Sequence, residues 1–302
     1  MIRITVKNSI KKQSLEPIFC GKMQLGDFPI VGLPLKRALE LRISRNLHET
    51  KFSAIEIFDD FWPSDALLDV LRNSNKSIEI ITDDGDSLLL AKFADDTNEP
   101  EKIISDRESL IICFPWDLIA LNETEIKKIS HDKIEGEIRN GVTIDGHIIL
   151  GAGSVLLPGV YIEGNVIIGE NSKIGPNCYL RGNTYIGDRC HIGQAVEIKN
   201  SILLEKVSAG HLSYIGDSII CSHTNLGAGT ITANLRHDGK NQCSMVDGEL
   251  VDTGRRKLGA IIGENVHTGI HTSIYPGRKI WPHASTRPGE IVFKDIPSPI
   301  CE

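Results

Sequence analysis

An aliphatic residue recurs every six positions through the middle of the chain and limits what the chain can fold into. Neither an α-helix nor the two-residue alternation of a simple strand requires this period. Six-residue repeats are typical of a parallel β-helix, in which three repeats form one coil of about 18 residues. The pattern therefore predicts a mainly β solenoid. The positions that hold the period without a slip are Ile144, Leu150, Leu156, Ile162, Ile168, Ile174, Leu180, Ile186, Ile192 and Ile198.

The period weakens after Leu203 and returns from Ile262 onward. Between these points the polar segment 235–258, which contains the basic run Arg255-Arg256-Lys257, is predicted to project from the coils. Long excursions from a compact repeat are often functional, and a tolerated surface insertion is the alternative.

The first part of the chain has a different pattern. Residues 1–115 mix helical and strand periodicities, which predicts a small α/β domain. Pro115 begins the helical segment PWDLIALNETEIKKI, so a helical linker is expected over 116–133. The β-helix is expected to occupy residues 134–302.

Composition narrows the class of partner and the compartment. The formal net charge of -7 argues against nucleic acid as the main partner. Seven scattered cysteines, including Cys20 and Cys301, form no C-x-x-C pair, so reduced thiols in a cytoplasmic protein are expected. The sequence contains no apolar run long enough to suggest a membrane segment. His267, His271 and His283 leave a three-histidine zinc site as a minor alternative, but no metal is expected.

Two cations are predicted to stack on successive coils. Arg181 and Lys199 are 18 residues apart, and each follows an inward position of the repeat. On neighbouring strands they would lie about 5 Å apart, where like charges repel unless they are solvated or bridged by an anion. Phosphate suits such a pair, and two solvated surface cations are the equal alternative. Glu197 lies on the other side of Ile198.

A second polar group lies where the repeat weakens. His211, Tyr214 and Asn225 precede the projecting segment, and Asn234 and Lys240 lie at its edge. Polar groups converging beside a glycine-rich wall predict a pocket for a small polar ligand. His211 has the side chain suited to accept a proton near neutral pH, although a lone histidine is more often structural.

Three motifs resemble a known family: AGHLSYIGD (209–217), NLGAGTITANLRHDGKN (225–241) and TGRRKLGAIIG (253–263). They are similar to the left-handed parallel β-helix acetyltransferase domain of the bifunctional sugar-1-phosphate nucleotidylyltransferase/amino-sugar-1-phosphate acetyltransferases, and to their archaeal-type branch in particular. The resemblance covers roughly residues 134–296.

The resemblance implies a homotrimer that transfers acetyl from acetyl-CoA to the amine of glucosamine 1-phosphate or galactosamine 1-phosphate. It implies that His211 is the general base, with Asn234 and Lys240 also in the catalytic region. Contacts to the sugar phosphate are implied for Arg181, Glu197, Lys199, Tyr214 and Asn225. Contacts to acetyl-CoA are implied for Ala228, Asn234, Ile270 and Pro288.

The chain also departs from the family pattern. Cys243 stands where archaeal-type members have a second lysine, and Ile270 and Pro288 replace small residues of the CoA channel. The N-terminal part resembles a truncated, degenerate nucleotidylyltransferase without its G-x-G-T-R signature, so no pyrophosphorylase activity is expected. The rival interpretation is a non-catalytic trimer that binds a sugar phosphate or nucleotide sugar.

Overall fold

The computed structural model describes residues 2–9, 15–18, 23–94 and 96–299. The chain divides into two compact units, Met1–Gln13 with Met23–Cys113, and Ser14–Lys22 with Phe114–Glu302. The predicted fold class is confirmed, because a small α/β unit precedes a parallel β-helix. Cys178, Cys190 and Cys243 are free thiols, whereas Cys20 and Cys301 lie outside the described residues.

The first unit is built around a five-stranded sheet in the order β1-β4-β7-β6-β8. Helix α1 buries Leu35, Leu39 and Ile43, the apolar spacing of one helix face. Ser64 caps α2 by accepting a hydrogen bond from the Leu67 N–H at 2.9 Å. The elements are β1 (Arg3–Lys7), a 3₁₀ turn (Leu25–Asp27), β2 (Pro29–Ile30), β3 (Leu33–Pro34), α1 (Leu35–Leu47), β4 (Phe52–Phe58), β5 (Phe61–Trp62), α2 (Asp65–Arg72), β6 (Ile78–Ile81), β7 (Ser87–Phe93), β8 (Glu101–Ile104) and β9 (Leu110–Ile111).

Helix α3 (Pro115–Lys127) belongs to the same compact unit as the β-helix. The Asn122 side chain donates to the Asn183 carbonyl at 2.9 Å. The Asn165 side chain donates to the Ile126 and Ile129 carbonyls at 3.0 and 2.9 Å. The segment predicted as a linker therefore packs on the coils. No described helix is long and apolar enough to cross a membrane.

Three parallel sheets form the walls of the β-helix. Sheet I contains β10 (Lys133–Ile134), β13 (Ile148–Leu150), β16 (Val166–Ile168), β19 (Thr184–Ile186), β22 (Ile202–Leu203), β25 (Ile219–Ile220), β30 (Ile261–Ile262) and β32 (Lys279–Ile280). Sheet II contains β11 (Glu137–Ile138), β14 (Val155–Leu156), β17 (Lys173–Ile174), β20 (His191–Gln194), β23 (Ser208–His211) and β26 (Asn225–Leu226). Sheet III contains β12 (Thr143–Asp145), β15 (Tyr161–Glu163), β18 (Tyr179–Arg181), β21 (Glu197–Lys199), β24 (Tyr214–Gly216), β27 (Ile231–Thr232), β31 (Ser273–Ile274) and β33 (Ile291–Val292).

The predicted inward ladder is present on sheet III. Ile144, Ile162, Leu180 and Ile198 are paired in register on successive strands. The last three are fully buried. Their burial removes apolar surface from water along the whole solenoid, which is the main favourable contribution to its folding.

The interruption expected after Leu203 is smaller than predicted. Ile186 pairs with Leu203 and Leu203 with Ile220, so two coils have 17 residues instead of 18. These shorter coils lack one residue at the corner from sheet III to sheet I. Gly182, Asn200 and Asp217 occupy this corner on successive coils and have φ values of 69°, 48° and 48°. Asparagine and aspartate tolerate this left-handed backbone better than most residues.

The projecting segment 235–258 leaves the wall at this same corner, after β27. It contains an antiparallel hairpin of β28 (Cys243–Val246) and β29 (Glu249–Asp252). The chain returns to the wall where the Gly259 N–H donates to the Asp217 carbonyl at 2.8 Å. The excursion is therefore stacked directly on the corner that carries Asp217.

Candidate functional site

Arg181 and Lys199 lie side by side on sheet III, as predicted. Their strands are paired in register. The Arg181 Nε atom is 2.9 Å from Glu197 Oε1, but the two are not aligned for a hydrogen bond. Among the described residues this buried nitrogen has no hydrogen-bond acceptor. The Arg181 guanidinium is therefore paired in charge with Glu197, while its Nε–H lacks an aligned acceptor, which is unfavourable for a buried donor.

Asp217 is the buried carboxylate of the site, with 3% exposure. Its Oδ2 atom lies 3.5 Å from Lys199 Nζ and accepts a hydrogen bond from the Asn234 amide at 2.5 Å. Its Oδ1 atom accepts from the Asn200 amide at 2.9 Å. A buried charge is stable only when it is paired and hydrogen-bonded, and Asp217 satisfies both conditions. It therefore holds Lys199 and Asn234 in place together.

Tyr214 joins this network through its hydroxyl. Asn234 Nδ2 donates to Tyr214 Oη at 3.0 Å, and burial raises the pKa of the phenol above its ordinary value. The ring lies over Gly216, where an added Cβ would be 2.4 Å from Tyr214 Oη and 2.7 Å from Asn234 Nδ2. Only glycine at position 216 leaves room for this arrangement.

His211 lies on sheet II, across one corner from Tyr214. It is exposed at the end of β23 and begins a column of residues on successive coils. The column is shown by backbone bonds from Gly229 N to His211 O at 3.2 Å, His271 N to Ala228 O at 2.7 Å, and Gly289 N to Ile270 O at 2.8 Å. We call His211, Ala228, Ile270 and Pro288 the His211 column. It brings the predicted base into one line with three of the four predicted acetyl-CoA contacts, whereas the fourth, Asn234, lies in the Asp217 network.

Two further predicted residues, Asn225 and Lys240, lie outside both the Asp217 network and the His211 column. Asn225 is exposed on β26 of sheet II, next to the column. Lys240 lies in the excursion and lines a cavity of about 470 Å³ with Arg236, Cys243 and Asp252, together with Asn241. That cavity does not include Lys199 or Asp217.

A second cavity, of about 550 Å³, lies at the corner beside Lys199. Lys199, Asp217 and Lys257 line it, and so do residues of α3 and of the basic run. The neighbouring Lys199 ammonium lowers the pKa of Lys257, and Arg181 lowers it further. Asp217 acts in the opposite direction and raises the pKa of Lys257. Arg181, Lys199 and Lys257, here called the cation cluster, are therefore close enough to interact, with Glu197 and Asp217 offsetting part of their charge.

No group of three or more histidine, cysteine, aspartate or glutamate side chains in the described ranges is placed to hold a metal ion. His271 and His283 are corner residues with φ values of 55° and 64°, and His267 extends sheet II through its bridges to Asn225 and Ser285.

Comparison with known proteins gives relatives for the β-helix. A family profile described as the GMPPB C-terminal domain matches residues 162–287. A bifunctional sugar-1-phosphate nucleotidylyltransferase/acetyltransferase of Sulfurisphaera tokodaii is 42% identical over 182 residues, covering 60% of this chain and 45% of the relative. The bifunctional protein GlmU of Methanococcus maripaludis strain C7 is 54% identical over 182 residues, covering 60% and 44%. Over this part, the chain is similar to these bifunctional enzymes.

The relationship is partial, because the chain spans about half the length of the curated relatives it matches. Among solved structures, that of a Francisella novicida UDP-N-acetylglucosamine acyltransferase aligns over 55% of this chain and 64% of its own. Its TM-score of 0.30 and 15% identity are too low to inform function. The resemblance inferred from the three motifs is confirmed by the sequence relatives.

The sequence motifs missed the centre of the site. Asp217 ends the motif AGHLSYIGD, but its role depends on Asn200, Lys199 and Asn234, which come from two other coils. One signal was available. The corner column changes from Gly164 and Gly182 to Asn200 and Asp217, so polar side chains replace glycines where the coils shorten.

Proposed function

We propose that the protein transfers an acetyl group from acetyl-CoA to the amine of an amino-sugar 1-phosphate, either glucosamine 1-phosphate or galactosamine 1-phosphate. The observation that carries the proposal is the corner between sheets II and III. His211 and its column lie on one side of this corner, and Tyr214 with the cations around Asp217 lies on the other. Acetyl-CoA bound along the His211 column and an amino-sugar phosphate bound at Arg181 and Lys199 would place their reacting groups beside His211.

The chemistry requires a nucleophilic amine beside the thioester carbonyl. As the amine nitrogen attacks, a C–N bond forms, the C–S bond breaks and the CoA thiolate leaves. His211 takes the proton that the amine loses and returns it to the thiolate. Arg181 and Lys199 bind the phosphate, and Tyr214 with Asn234 orients the sugar hydroxyls. The protein then gains rate mainly from positioning and proton transfer.

We further propose that the active form is a homotrimer with sites completed between subunits, and that the first unit carries no pyrophosphorylase activity. The placement of Lys240 away from Lys199 in one chain supports the first point, because a neighbouring subunit would bring such groups together. The missing glycine-rich nucleotide signature supports the second.

Thiol release from acetyl-CoA tests the proposal. We expect release that depends on glucosamine 1-phosphate or galactosamine 1-phosphate and stays at background with the same amino sugars lacking phosphate. Lys199→Gln is the matched variant, and it should raise KM for the phosphorylated acceptor. Absence of release with both sugar phosphates at saturating acetyl-CoA would exclude the proposed activity.

Replacement of Gly216 by alanine should weaken substrate binding. The new methyl group displaces the Tyr214 hydroxyl and the Asn234 amide, and loss of one such hydrogen bond corresponds to about a tenfold change. We expect KM for the acceptor to rise through Tyr214, and KM for acetyl-CoA to rise as well, since Asn234 is also a predicted acetyl-CoA contact.

Gly210→Ala is the control for Gly216→Ala, since an added Cβ at Gly210 has no heavy atom within 4 Å. Equal kinetics of the two variants would contradict the role assigned to Gly216.

A second candidate is a non-catalytic binding protein on the same scaffold. It is favoured by Cys243 at a position where related enzymes have lysine and by the exposed position of Lys240. Calorimetry separates the two candidates. An enzyme should bind both acetyl-CoA and a sugar phosphate, whereas the alternative predicts binding of a sugar phosphate or nucleotide sugar alone.

A further inference from the structure

Gln194 is the neighbour of His211 on the preceding coil. The two residues are paired in register on β20 and β23 of sheet II, and both side chains are exposed. The Leu212 N–H, which follows His211, donates to the Gln194 carbonyl at 2.9 Å and joins the two coils at this point. Adjacent strands of a sheet lie about 4.8 Å apart. The Gln194 side chain therefore begins one strand spacing from the proposed base.

A third residue orients the Gln194 amide. Asn177 lies one coil earlier, at the same corner between sheets II and III, and its Nδ2 group donates to Gln194 Oε1 at 3.2 Å. Since Oε1 is bound to Asn177, the Nε2 group is turned away from Asn177, toward the coil of His211. In the part of the chain that the structure describes, no acceptor is bonded to this nitrogen. Its N–H groups are thus available to a ligand.

The backbone around Asn177 suits this placement. Asn177 has a φ of 53°, a left-handed conformation that asparagine tolerates better than most residues. Its Oδ1 atom lies over Gly159 on the coil before, where an added Cβ would overlap it. Glycine at 159 therefore leaves room for an amide that bonds along the coil axis to Gln194.

Gln194 continues the line of the His211 column on the side opposite to Pro288. Ala228, Ile270 and Pro288 follow His211 on later coils, whereas Gln194 precedes it. Acetyl-CoA bound along the column with its thioester at His211 would have its acetyl end next to Gln194. An N–H donor at this end of the column is within reach of the thioester carbonyl rather than of the pantetheine arm.

We propose that Gln194 donates a hydrogen bond to the carbonyl oxygen of acetyl-CoA and stabilises the negative charge that develops there, and that Asn177 is its positioning residue. The inference rests on the proposed function for the identity of the donor. Attack by the amine nitrogen forms the C–N bond and moves the carbonyl π electrons onto oxygen. When the carbonyl re-forms, the C–S bond breaks and the thiolate takes the proton held by His211. A donor already oriented toward this oxygen stabilises the charge without reorganisation.

Gln194→Met tests the donor, because methionine keeps the length of the side chain and has no N–H group. We expect kcat for thiol release to fall about 10²- to 10³-fold, the range for loss of one donor to a developing oxyanion. KM for the acceptor should stay nearly constant, since the acceptor contacts lie on sheet III. Gln194→Glu places a negative charge beside the developing one and should be slower still. Gln194 is exposed, so both variants should keep the melting temperature of the wild type.

Asn177→Gly tests the positioning role, because glycine keeps the left-handed backbone and removes the amide. We expect kcat to fall about tenfold, corresponding to one neutral hydrogen bond, with little further effect in the Gln194→Met background. The matched control is Asn171→Gly. Asn171 has a φ of 54° and lies over Gly153 in the same way, but at the corner from sheet I to sheet II. Its kcat should equal that of the wild type.

The carbonyl stretch of bound acetyl-CoA reports this hydrogen bond without turnover. We expect isotope-edited infrared difference spectra of acetyl-CoA, labelled at the carbonyl carbon, to show a lower frequency on the wild-type protein than on Gln194→Met. A donor polarises the carbonyl and weakens its double bond. A purely structural role of Gln194 would leave the band in place, and Asn171→Gly should reproduce the wild-type band.

Normal kcat in Gln194→Met, or the same carbonyl band on both proteins, would overturn the proposal while thiol release by the wild type sustains the proposed function. A rise of acceptor KM at constant kcat would assign the amide to the acceptor and also refute the inference. A protein that releases no thiol but shows the band shift would remove the proposed activity and leave the hydrogen bond from Gln194 intact. A wild-type protein that binds no acetyl-CoA would refute both.

Discussion

Replacement of Asp217 by alanine should both destabilise the protein and abolish most of its acetyl transfer. Asp217 is 3% exposed and contacts Lys199, Asn200 and Asn234. Its loss leaves the Lys199 ammonium, itself 19% exposed, without its carboxylate. Breaking a buried ion pair by removing one partner costs about 3–5 kcal/mol. The same change frees Lys199 and Asn234, so KM for the acceptor should rise steeply.

Chemical denaturation gives the free energy of unfolding, and thiol release gives the kinetics. Asp217→Asn keeps the shape of the side chain and separates the charge from the packing. It should retain more stability than alanine but still raise KM, because a neutral amide oxygen binds the ammonium more weakly than a carboxylate does. Glu205→Gln is the control, since Glu205 forms an exposed pair with Arg189. Such surface pairs contribute little, at most about 1 kcal/mol. Wild-type stability and KM in Asp217→Asn would contradict the role of Asp217.

Replacement of His211 by glutamine should reduce kcat without affecting folding. A positioned general base typically contributes about 10² to 10⁴ in rate. His211 is exposed at the end of β23, so its loss creates no cavity and should leave the free energy of unfolding nearly constant. KM for the acceptor should change little, since the phosphate contacts lie on sheet III. Steady-state thiol release over a range of pH separates kcat from KM.

His191→Gln is the control for His211. His191 lies on β20, the preceding strand of the same sheet, and burial lowers its pKa, with a further contribution from the neighbouring Lys173. The proposed mechanism gives it no contact with the reacting atoms, so turnover should stay near that of the wild type. A His211→Gln enzyme with normal kcat would remove the general base from the mechanism.

Much of the architecture could be predicted from the six-residue period. A solenoid contacts mainly its own neighbouring coils, so a local repeat in sequence specifies the global stacking. The pairing of Arg181 with Lys199 followed from that stacking alone and is present in the structure. The helix at Pro115 could be predicted from its pattern, but its packing could not. Asn122 and Asn165 bind carbonyls on distant elements, and no local pattern reports such contacts.

The site itself was only partly predictable. Motif resemblance named His211, Tyr214 and Asn234, and the structure joins Tyr214 to Asn234 directly. The motif resemblance did not reveal the roles of Asp217 or Lys257, because these roles depend on groups on other coils and on the excursion. Glu123 is 132 residues from Arg255 along the chain, and only folding places the two in contact.

The sequence by itself determined the wall, because the repeat period, the inward aliphatic residues and the stacked cations all follow from one rule applied coil after coil. Only the tertiary structure determines how the side chains are arranged at the corner from sheet III to sheet I. Two coils shortened by one residue put Asn200 and Asp217 above each other, and a bidentate pair between Glu123 and Arg255 sets the excursion beside them. These contacts depend on three-dimensional proximity between segments far apart in sequence, which the repeat does not encode.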